Sequence, residues 1–305
     1  MNQTTIMEPG VNPDLSPAET FRKRESKWRV YMRRLVKSPT GLAGFLIIIA
    51  VLFLGICGSW VAPYDPNQAE FSKKLLPPMT DGHVLGTDQL GRDILSRLIH
   101  GTSVSLIIGS CTVLSAGLIG TTLGVIAGYF RGWTDIIIMR IVDVKLSFPF
   151  ILLVLVINAV IGAGLQNIII SLVFAGWIVY ARVVRSEVLA LREKEFILSC
   201  IATEVPRWEI ILRHIVPNLF TPIIVLSSLQ IATYIIAEAS ISFLGFGVQP
   251  PQPAWGNMLS EGKDYIFSAW WLITFPGIAI VVTALGVNLF GDWLRDVLDP
   301  ELKGD

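Results

Sequence analysis

The sequence predicts an all-α polytopic membrane protein with six transmembrane helices. Of its 305 residues, 52% are hydrophobic and only 16% are charged, whereas a soluble domain has about 25% charged residues. The hydrophobic residues concentrate in five stretches without Asp, Glu, Lys or Arg: residues 38–64, 98–130, 146–181, 214–237 and 265–291. Each is long enough for the helix of about 20 residues that a bilayer requires.

One of these stretches is too long for a single span. Residues 146–181 contain the turn sequence Gly162-Ala-Gly-Leu-Gln-Asn167, so we divide them there. The first half is completed by residues 136–145, and Pro149 is expected to kink that helix. The six spans are then predicted near residues 40–62, 103–129, 136–160, 167–184, 215–237 and 270–291.

Lysine and arginine are distributed unequally between the two sides of this arrangement. Nineteen of them fall on the side that holds both termini, and five fall on the other side. Because cytoplasmic loops are enriched in these residues, both termini and the loop at 182–213 are expected in the cytoplasm. A cleaved signal peptide is not expected, since the first apolar stretch starts near residue 40 and is too long.

The chain divides into four predicted regions. Residues 1–39 comprise a tail, expected to be disordered over 1–21, and a basic amphipathic helix over 22–37. This basic cluster precedes an apolar stretch, so it fits a topology determinant better than a nucleic-acid site. Residues 40–101 hold the first span and an outer loop, 102–294 hold the other five spans, and 295–305 form a C-terminal tail.

The charged loop before the fifth span is predicted to contain two short helices. The first ends near Thr203, and Pro206 suits the first position of the second. A helix with an apolar face outside the membrane either lies on the lipid headgroups or fills a groove on a cytoplasmic partner. The pattern alone does not separate these two uses. The second helix carries one apolar stripe with helical spacing: Trp208, Ile211, Leu212 and Ile215.

Two outer loops contain candidate functional residues. In the first, Asp88 with Arg92 and Asp93 with Arg97 are i,i+4 pairs, which predict an interfacial helix that starts at Thr87 or Asp88. In the second, residues 241–256 are dense in aromatic residues, glycine and proline. We expect this loop to tuck against the helices at the outer interface, either as a docking surface or as a capping loop without a partner.

The third span begins with charged residues in an apolar context. Arg140 and Asp143 are i,i+3 neighbours and are expected to pair, and Lys145 is expected to extend toward the nearby membrane surface. Ionisable residues in a span are functional candidates. We favour a structural ion pair here over a proton relay.

The sequence lacks the common catalytic and cofactor motifs. Gly262-Lys263 is followed by Asp264, so no phosphate-binding loop is formed. Neither a metal site, a disulfide framework nor a nucleophile elbow is indicated, so catalysis, a bound cofactor and a metal are not expected in this chain. The residues considered for metal or disulfide bonding are His83, His100, His214, Cys57, Cys111 and Cys200.

Several motifs together resemble the permeases of ATP-binding-cassette importers. The central loop resembles their cytoplasmic EAA loop, and the rest is similar to the C-type permeases of dipeptide and oligopeptide importers. The resemblance runs from about residue 22 to the end. The motifs, in order, are Gly86-Thr-Asp-x-x-Gly-Arg-Asp-x-x-Ser-Arg97 with Gly101 and Ser105, Met139-Arg-x-x-Asp143 with Pro149, Ser242-Phe-Leu-Gly-Phe-Gly247, Pro251-x-Pro-x-Trp-Gly256, and Gly291-Asp-x-Leu-Arg-Asp-x-Leu-Asp-Pro300.

The resemblance implies a type I importer permease fold in the bacterial plasma membrane. The implied partners are a second permease, forming a heterodimer, two cytoplasmic ATPases that bind ATP and Mg²⁺, and an extracytoplasmic binding protein. Residues 206–215, within an EAA-like loop at 186–214, would be the coupling helix. The implied ATPase-coupling residues are Glu204, Val205, Pro206, Arg207, Trp208, Glu209, Ile211, Leu212 and Ile215. The implied docking residues are Asp88, Arg92, Asp93, Phe243, Phe246 and Trp255.

The chain departs from the family pattern at two places in this loop. Ser199 and Cys200 replace the Ala-Ala pair, and Glu204 replaces the glycine. If the turn needs a positive φ, a residue other than glycine costs roughly 1 kcal/mol or more there.

Two other functional classes compete with the permease interpretation. A self-sufficient channel or secondary transporter would need a coupling-ion site or inverted repeats, and the sequence shows neither a mid-bilayer carboxylate nor a repeat. A membrane-embedded enzyme is opposed by the missing catalytic motifs.

Overall fold

The computed structural model describes residues 27–298, with side chains from residue 31 onward. The predicted tail over 1–21, the start of the basic helix and residues 299–305 lie outside the described residues. Within residues 27–298 the chain forms helices and no strand, which confirms the all-α prediction. The helices are α1 (Lys27–Lys37), α2 (Pro39–Val61), α3 (Ile94–Phe130), α4 (Gly132–Leu146), α5 (Phe150–Ile161), α6 (Leu165–Arg192), α7 (Glu195–Ala202), α8 (Arg207–Glu209), α9 (Val216–Phe243), α10 (Trp255–Gly262) and α11 (Trp271–Leu298).

The predicted spans are found in the predicted order. Five helical stretches in the described part of the chain are long and apolar enough to cross a membrane, namely α2, α3, α6, the stretch Arg207–Phe243 and α11. Helices α4 and α5 complete a sixth if they count as one broken span, because they are bent by 89° at residues 147–149. The proline predicted to kink this span therefore accompanies a full break.

Several helices extend beyond the predicted spans. Helix α3 begins at Ile94 rather than near residue 103, and α6 continues to Arg192 rather than 184. The prediction counted residues without charge, whereas a helix continues outside the apolar layer as long as its backbone hydrogen bonds are made.

Helix α3 packs most extensively against α6. Its contact face is a row of glycines, and a Cβ added at Gly124 would lie 2.7 Å from the Ala181 carbonyl oxygen and 2.9 Å from Val184 Cβ. Small residues let membrane helices approach closely enough for their backbones to touch. The row consists of Gly117, Gly120, Gly124 and Gly128.

Helix α2 starts at a defined cap and packs on α11 and α3. Ser38 Oγ accepts from the Gly41 backbone N–H at 3.2 Å, and Pro39 occupies the first helical position. Proline is tolerated there because its missing N–H would be unpaired in any case. A Cβ at Gly44 would lie 2.7 Å from the Gly286 carbonyl oxygen, so α2 and α11 also meet at glycines.

Candidate coupling and docking sites

The loop between α6 and α9, which the lysine and arginine distribution predicts to be cytoplasmic, contains two helices joined by a tight turn, as predicted. Helix α7 ends at Ala202, and Glu204 then adopts a left-handed conformation with φ 57°. The Val205 N–H donates to the Cys200 carbonyl and the Glu204 N–H to the Ile201 carbonyl, both at 3.1 Å. These two bonds form a Schellman motif, in which the left-handed position is usually glycine. The turn therefore needs a positive φ at Glu204, which is the condition under which a residue other than glycine is costly there.

The second helix differs from the prediction at its start. Pro206 precedes the helix as its N-cap, with ψ 134°, and Arg207 is the first helical residue. The helix then passes through a π-helical segment, Ile210–Ile215, before it continues as α9. A π-helix pairs residues five apart rather than four, so the 3.6-residue period assumed for the stripe does not hold here.

The predicted single apolar stripe is therefore wrong. Ile210 and Ile215, five residues apart, are both buried. Trp208 and Leu212 are 65% and 60% exposed, and they face away from the chain's own core. The second helix thus has an inner apolar side that fixes it and an outer apolar side that is uncovered in this chain.

The inner side of the loop is anchored to three other helices. Its buried residues join one hydrophobic cluster with the C-terminal halves of α3 and α6 and the start of α9. Because cores are close-packed, a force applied to the loop is transmitted to these helices. The cluster contains Val125, Tyr129, Val184, Val188, Leu191, Ile197, Ile210, Ile215 and Leu219.

Charged residues reinforce this end of the helices. Arg185 on α6 donates to both carboxylate oxygens of Asp135 on α4, at 2.5 and 2.6 Å. Arg192 Nη1 donates to the Tyr129 carbonyl at 2.5 Å, and its guanidinium carbon lies 5.4 Å from the centroid of the same residue's ring. These contacts hold the ends of α3, α4 and α6 together beside the loop.

The loop between α2 and α3, which is the first of the two predicted outer loops, holds a buried cluster of charged residues. Asp88 Oδ2 accepts from Arg92 Nε at 2.6 Å and from Arg97 Nη1 at 2.5 Å. Glu261 on α10 accepts from Arg92 Nη2 at 2.8 Å and from both terminal nitrogens of Arg97, at 2.7 and 3.1 Å. Two carboxylates and two guanidiniums thus alternate in one compact network, in which every charge has a partner of opposite sign.

The predicted pairing in this loop is half correct. The Asp88–Arg92 pair exists, but it lies in a turn, since α3 begins only at Ile94. Asp93 does not pair with Arg97. It caps α3 by accepting from the Ser96 N–H at 2.7 Å and binds His83 Nδ1 at 2.9 Å.

The interfacial-helix interpretation of these charges is also wrong, because they are buried. Arg97 is only 2% exposed, and Asp88 1%. No sequence pattern indicates Glu261 as a partner, since it is 164 residues from Arg97. Burial raises the pKa of Glu261, but its hydrogen bond from Arg97 and the charges of Arg97 and Arg92 outweigh burial and lower that pKa below its ordinary value.

The second outer loop tucks against the helices, as expected. Trp255 is buried and donates from Nε1 to the Leu98 carbonyl at 3.0 Å, and Val248 and Ala254 join the core of α3, α5 and α6. Phe243 and Phe246 are 39% and 37% exposed. Of the six residues assigned to docking, these two present side chains at the surface. The other four, Asp88, Arg92, Asp93 and Trp255, lie beneath it.

The predicted ion pair in the third span is absent. Arg140 and Asp143 both have exposed side chains on α4, and no ion pair within the described residues joins them. Lys145 was expected to extend toward the membrane surface, but its side chain is buried within the protein. Within residues 27–298, no group of three His, Cys, Asp or Glu side chains is placed to hold a metal ion.

Two family models match two separate parts of the chain. Residues 120–304 match the binding-protein-dependent transport system inner membrane component, and residues 26–78 match the N-terminal transmembrane domain of oligopeptide transport permease C. The fold resembles a chain of the MetNI methionine ABC transporter, solved in inward-facing conformations. Its TM-score is 0.56 and its identity 18%, over 68% of this chain and 98% of that one.

Curated relatives cover almost the full length. A dipeptide transport system permease from Alkalihalophilus pseudofirmus is 40% identical over 291 residues, which is 95% of either chain. A glutathione transport system permease from Pectobacterium atrosepticum is 40% identical over 90% of this chain and 92% of its own. On the family models and these relatives, the chain belongs to the family of binding-protein-dependent transport inner membrane components, the permease subunits of ABC importers.

Proposed function

We propose that this chain forms half of the translocation pathway of an importer for dipeptides, oligopeptides or related small solutes. A second permease chain supplies the other half, as a heterodimer. The relatives named above are permeases for dipeptides and for glutathione, which supports short peptides with a free carboxylate as the solute class.

Two cytoplasmic ATPases provide the energy in this proposal, and they bind the ATP and Mg²⁺. The permease itself is not an enzyme and carries no cofactor. The chain lies in the bacterial plasma membrane, and both termini and the loop between α6 and α9 lie on its cytoplasmic side. The lysine and arginine distribution supports this orientation.

The observation that carries the proposal is the two-sided second helix of the cytoplasmic loop. Its inner side, with Ile210 and Ile215, is fixed in the core, whereas Trp208 and Leu212 are uncovered. An exposed tryptophan on a short helix is suited to fill a groove on a partner. Closure of the ATPases around ATP then pushes the loop, and the anchored helices move with it between inward- and outward-open states.

The remaining coupling residues shape this element. Glu204 and Val205 form the turn, Pro206 caps the helix, and Arg207 and Glu209 flank the tryptophan. Glu209 also accepts from Arg213 at 2.5 Å, an i,i+4 pair that supports the helix.

At the outer face we assign direct contact with the binding protein to Phe243 and Phe246. Asp88, Arg92, Asp93 and Trp255 support that surface from below, because they hold the first outer loop and α10 against α3. The charged cluster thus keeps the docking surface in one shape.

The test is to tag the full chain, extract it gently and quantify the proteins that co-purify. We expect an ATPase with a phosphate loop and a second six-span chain. Trp208→Ala should reduce ATPase recovery and substrate-stimulated ATP hydrolysis by about tenfold or more, as for a central aromatic anchor. Trp133→Ala is the matched control, since Trp133 lies at the start of α4 and is 79% exposed.

Two results would overturn the proposal. One is equal ATPase recovery with Trp208→Ala and with the unmodified chain. The other is solute flux by the purified chain alone in liposomes, which would indicate a self-sufficient transporter.

A further inference from the structure

Lys145 is a buried cation that has no anionic partner in the described part of the chain. It lies in the last turn of α4, next to the break before α5, and is 9% exposed. Its Nζ has no hydrogen-bond partner within the described residues and lies 4.2 Å from the Phe174 ring centroid and 5.2 Å from that of Trp177. Aromatic faces stabilise a cation only in part, so the ammonium retains donors that no group within residues 27–298 satisfies.

The position of these aromatic residues places the ammonium deep in the membrane. Phe174 and Trp177 lie near the middle of the span predicted over residues 167–184, each roughly 11 Å from the nearer end at the helical rise of 1.5 Å per residue. Ionisable groups at such depth face protein or a water-filled path rather than lipid, and they mark solute and ion pathways.

A second buried donor without a partner among the described residues belongs to a residue that lines a cavity together with Lys145. Tyr234 on α9 is 1% exposed, and its hydroxyl is buried without a partner among the described residues. Gly176 on α6 makes room for the phenol, since a Cβ there would lie 2.8 Å from Tyr234 Cζ. Lys145 and Tyr234 line one cavity of about 380 Å³ between α4, α5, α6 and α9.

The chemistry of this cavity indicates its ligand. An ammonium and a phenol O–H both donate, so the complementary group accepts hydrogen bonds and is anionic. A carboxylate carries one negative charge and balances one ammonium, whereas a phosphate with about two would leave excess charge within the bilayer. The rest of the lining is largely apolar, with Phe150 and Leu153, and suits a hydrophobic side chain.

We propose that Lys145 and Tyr234 form a carboxylate-binding subsite on the translocation pathway, which holds the terminal carboxylate of the transported peptide. This inference rests on the proposed function for its solute. The subsite gives the permease a selectivity of its own for solutes with a free carboxylate, in addition to that of the binding protein.

The first test compares uptake of dialanine and of its C-terminal amide by the assembled importer in proteoliposomes. The same binding protein is present throughout, so its own preference cancels between variants. Lys145→Met should lower dialanine uptake relative to the amide by about tenfold, as expected when a hydrogen-bonded charge is lost. Tyr234→Phe, which removes one oxygen atom, should lower it by about threefold, and Lys145→Arg should retain most of the preference.

The second test measures carboxylate binding without transport. Trifluoroacetate is added to the full chain, in its complex within nanodiscs, and its fluorine NMR line width is recorded. We expect broadening that Lys145→Met abolishes and Lys145→Arg preserves. Arg140→Met is the matched control, because it removes an exposed cation from the same helix and should leave the broadening unchanged.

The outcomes separate the two proposals. If the unmodified importer moves neither solute but trifluoroacetate binding depends on Lys145, the transport assignment fails and the subsite stands. If Lys145→Met leaves the broadening intact, or lowers uptake of dialanine and of the amide equally, the subsite is refuted and Lys145 has only a packing role, such as contact with the second permease.

Discussion

Arg97, in the first turn of α3, donates to both carboxylate oxygens of Glu261 on α10, with Nη1 2.7 Å from Oε2 and Nη2 3.1 Å from Oε1. The guanidinium is only 2% exposed, and the carboxylate side chain is 20% exposed. A paired, planar contact of this kind fixes both distance and orientation. It therefore joins the outer end of α3 to the second outer loop and keeps the surface around Phe243 and Phe246 in place.

Replacing this carboxylate should destabilise the protein. Glu261→Gln keeps the shape but leaves Arg97 and Arg92 sharing Asp88 as their one anion. We expect a loss of about 1–3 kcal/mol in the free energy of unfolding, less than for a fully buried pair because Glu261 is partly exposed and Asp88 remains. Thermal unfolding of the full chain in detergent, followed by tryptophan fluorescence, measures this.

An exposed ion pair provides the control for that measurement. Glu209→Gln removes the partner of Arg213, whose side chain is 74% exposed. The expected loss is below about 1 kcal/mol, because water screens such pairs. Equal effects of the two substitutions would contradict the structural role of the outer cluster.

The outer cluster also makes stability depend on pH. The pKa of Glu261 in the folded protein lies below its ordinary value of 4.5, because the arginines outweigh the effect of burial. A lowered folded pKa stabilises the fold fully above pH 4.5, and that contribution is lost as the pH falls through the lowered value. The stability difference between the unmodified chain and Glu261→Gln should stay constant from about pH 7 to about pH 5 and shrink below that. A difference that grows on acidification would refute this assignment.

The glycine row on α3 makes a prediction about helix packing. Gly124→Ala places a methyl group 2.7 Å from the Ala181 carbonyl oxygen, so α3 and α6 must separate. We expect a destabilisation of about 1–3 kcal/mol despite the better helix propensity of alanine. The matched control is Gly277→Ala on α11, whose added methyl would meet only Leu259 Cδ2, at 3.9 Å. That change should be neutral or stabilising by up to about 1 kcal/mol, and a loss as large as that of Gly124→Ala would contradict the close-packing argument.

Features that depend on neighbouring residues could be predicted from the sequence, whereas contacts between distant residues could not. The spans were predicted because the length of an apolar run is a local property that the bilayer thickness sets directly. The pairing of Arg97 was not, because its partner Glu261 is distant in the chain and no periodicity joins them. The i,i+4 spacing predicts a pair between Arg97 and Asp93 instead. In the buried cluster, however, Arg97 pairs with Asp88 and Glu261.

In the loop between α6 and α9, the turn was predicted correctly but the apolar stripe was not. The stripe prediction assumed an α-helical period throughout, whereas Ile210 and Ile215 are placed together by the π-helical segment, which tertiary packing favours over the regular helix. The turn at Glu204 could be predicted because a glycine in the family pattern often marks a position with a positive φ. Lys145 was placed near the membrane surface because position along a span was judged without knowledge of the 89° bend.

The strained turn gives the last prediction. Glu204 has φ 57° within a Schellman motif, a conformation that costs a residue with a Cβ roughly 1 kcal/mol or more relative to glycine. Glu204→Gly should therefore raise stability by about that amount and preserve or increase substrate-stimulated ATP hydrolysis in the assembled importer. Glu204→Ala separates the two contributions, since it removes the carboxylate but keeps the strain. If the glycine variant loses coupling while the alanine variant keeps it, flexibility of the turn is harmful and its rigidity matters more than its strain. If both variants lose coupling, the carboxylate itself contacts the ATPase, and the loop of this permease uses a charge where its family uses a glycine.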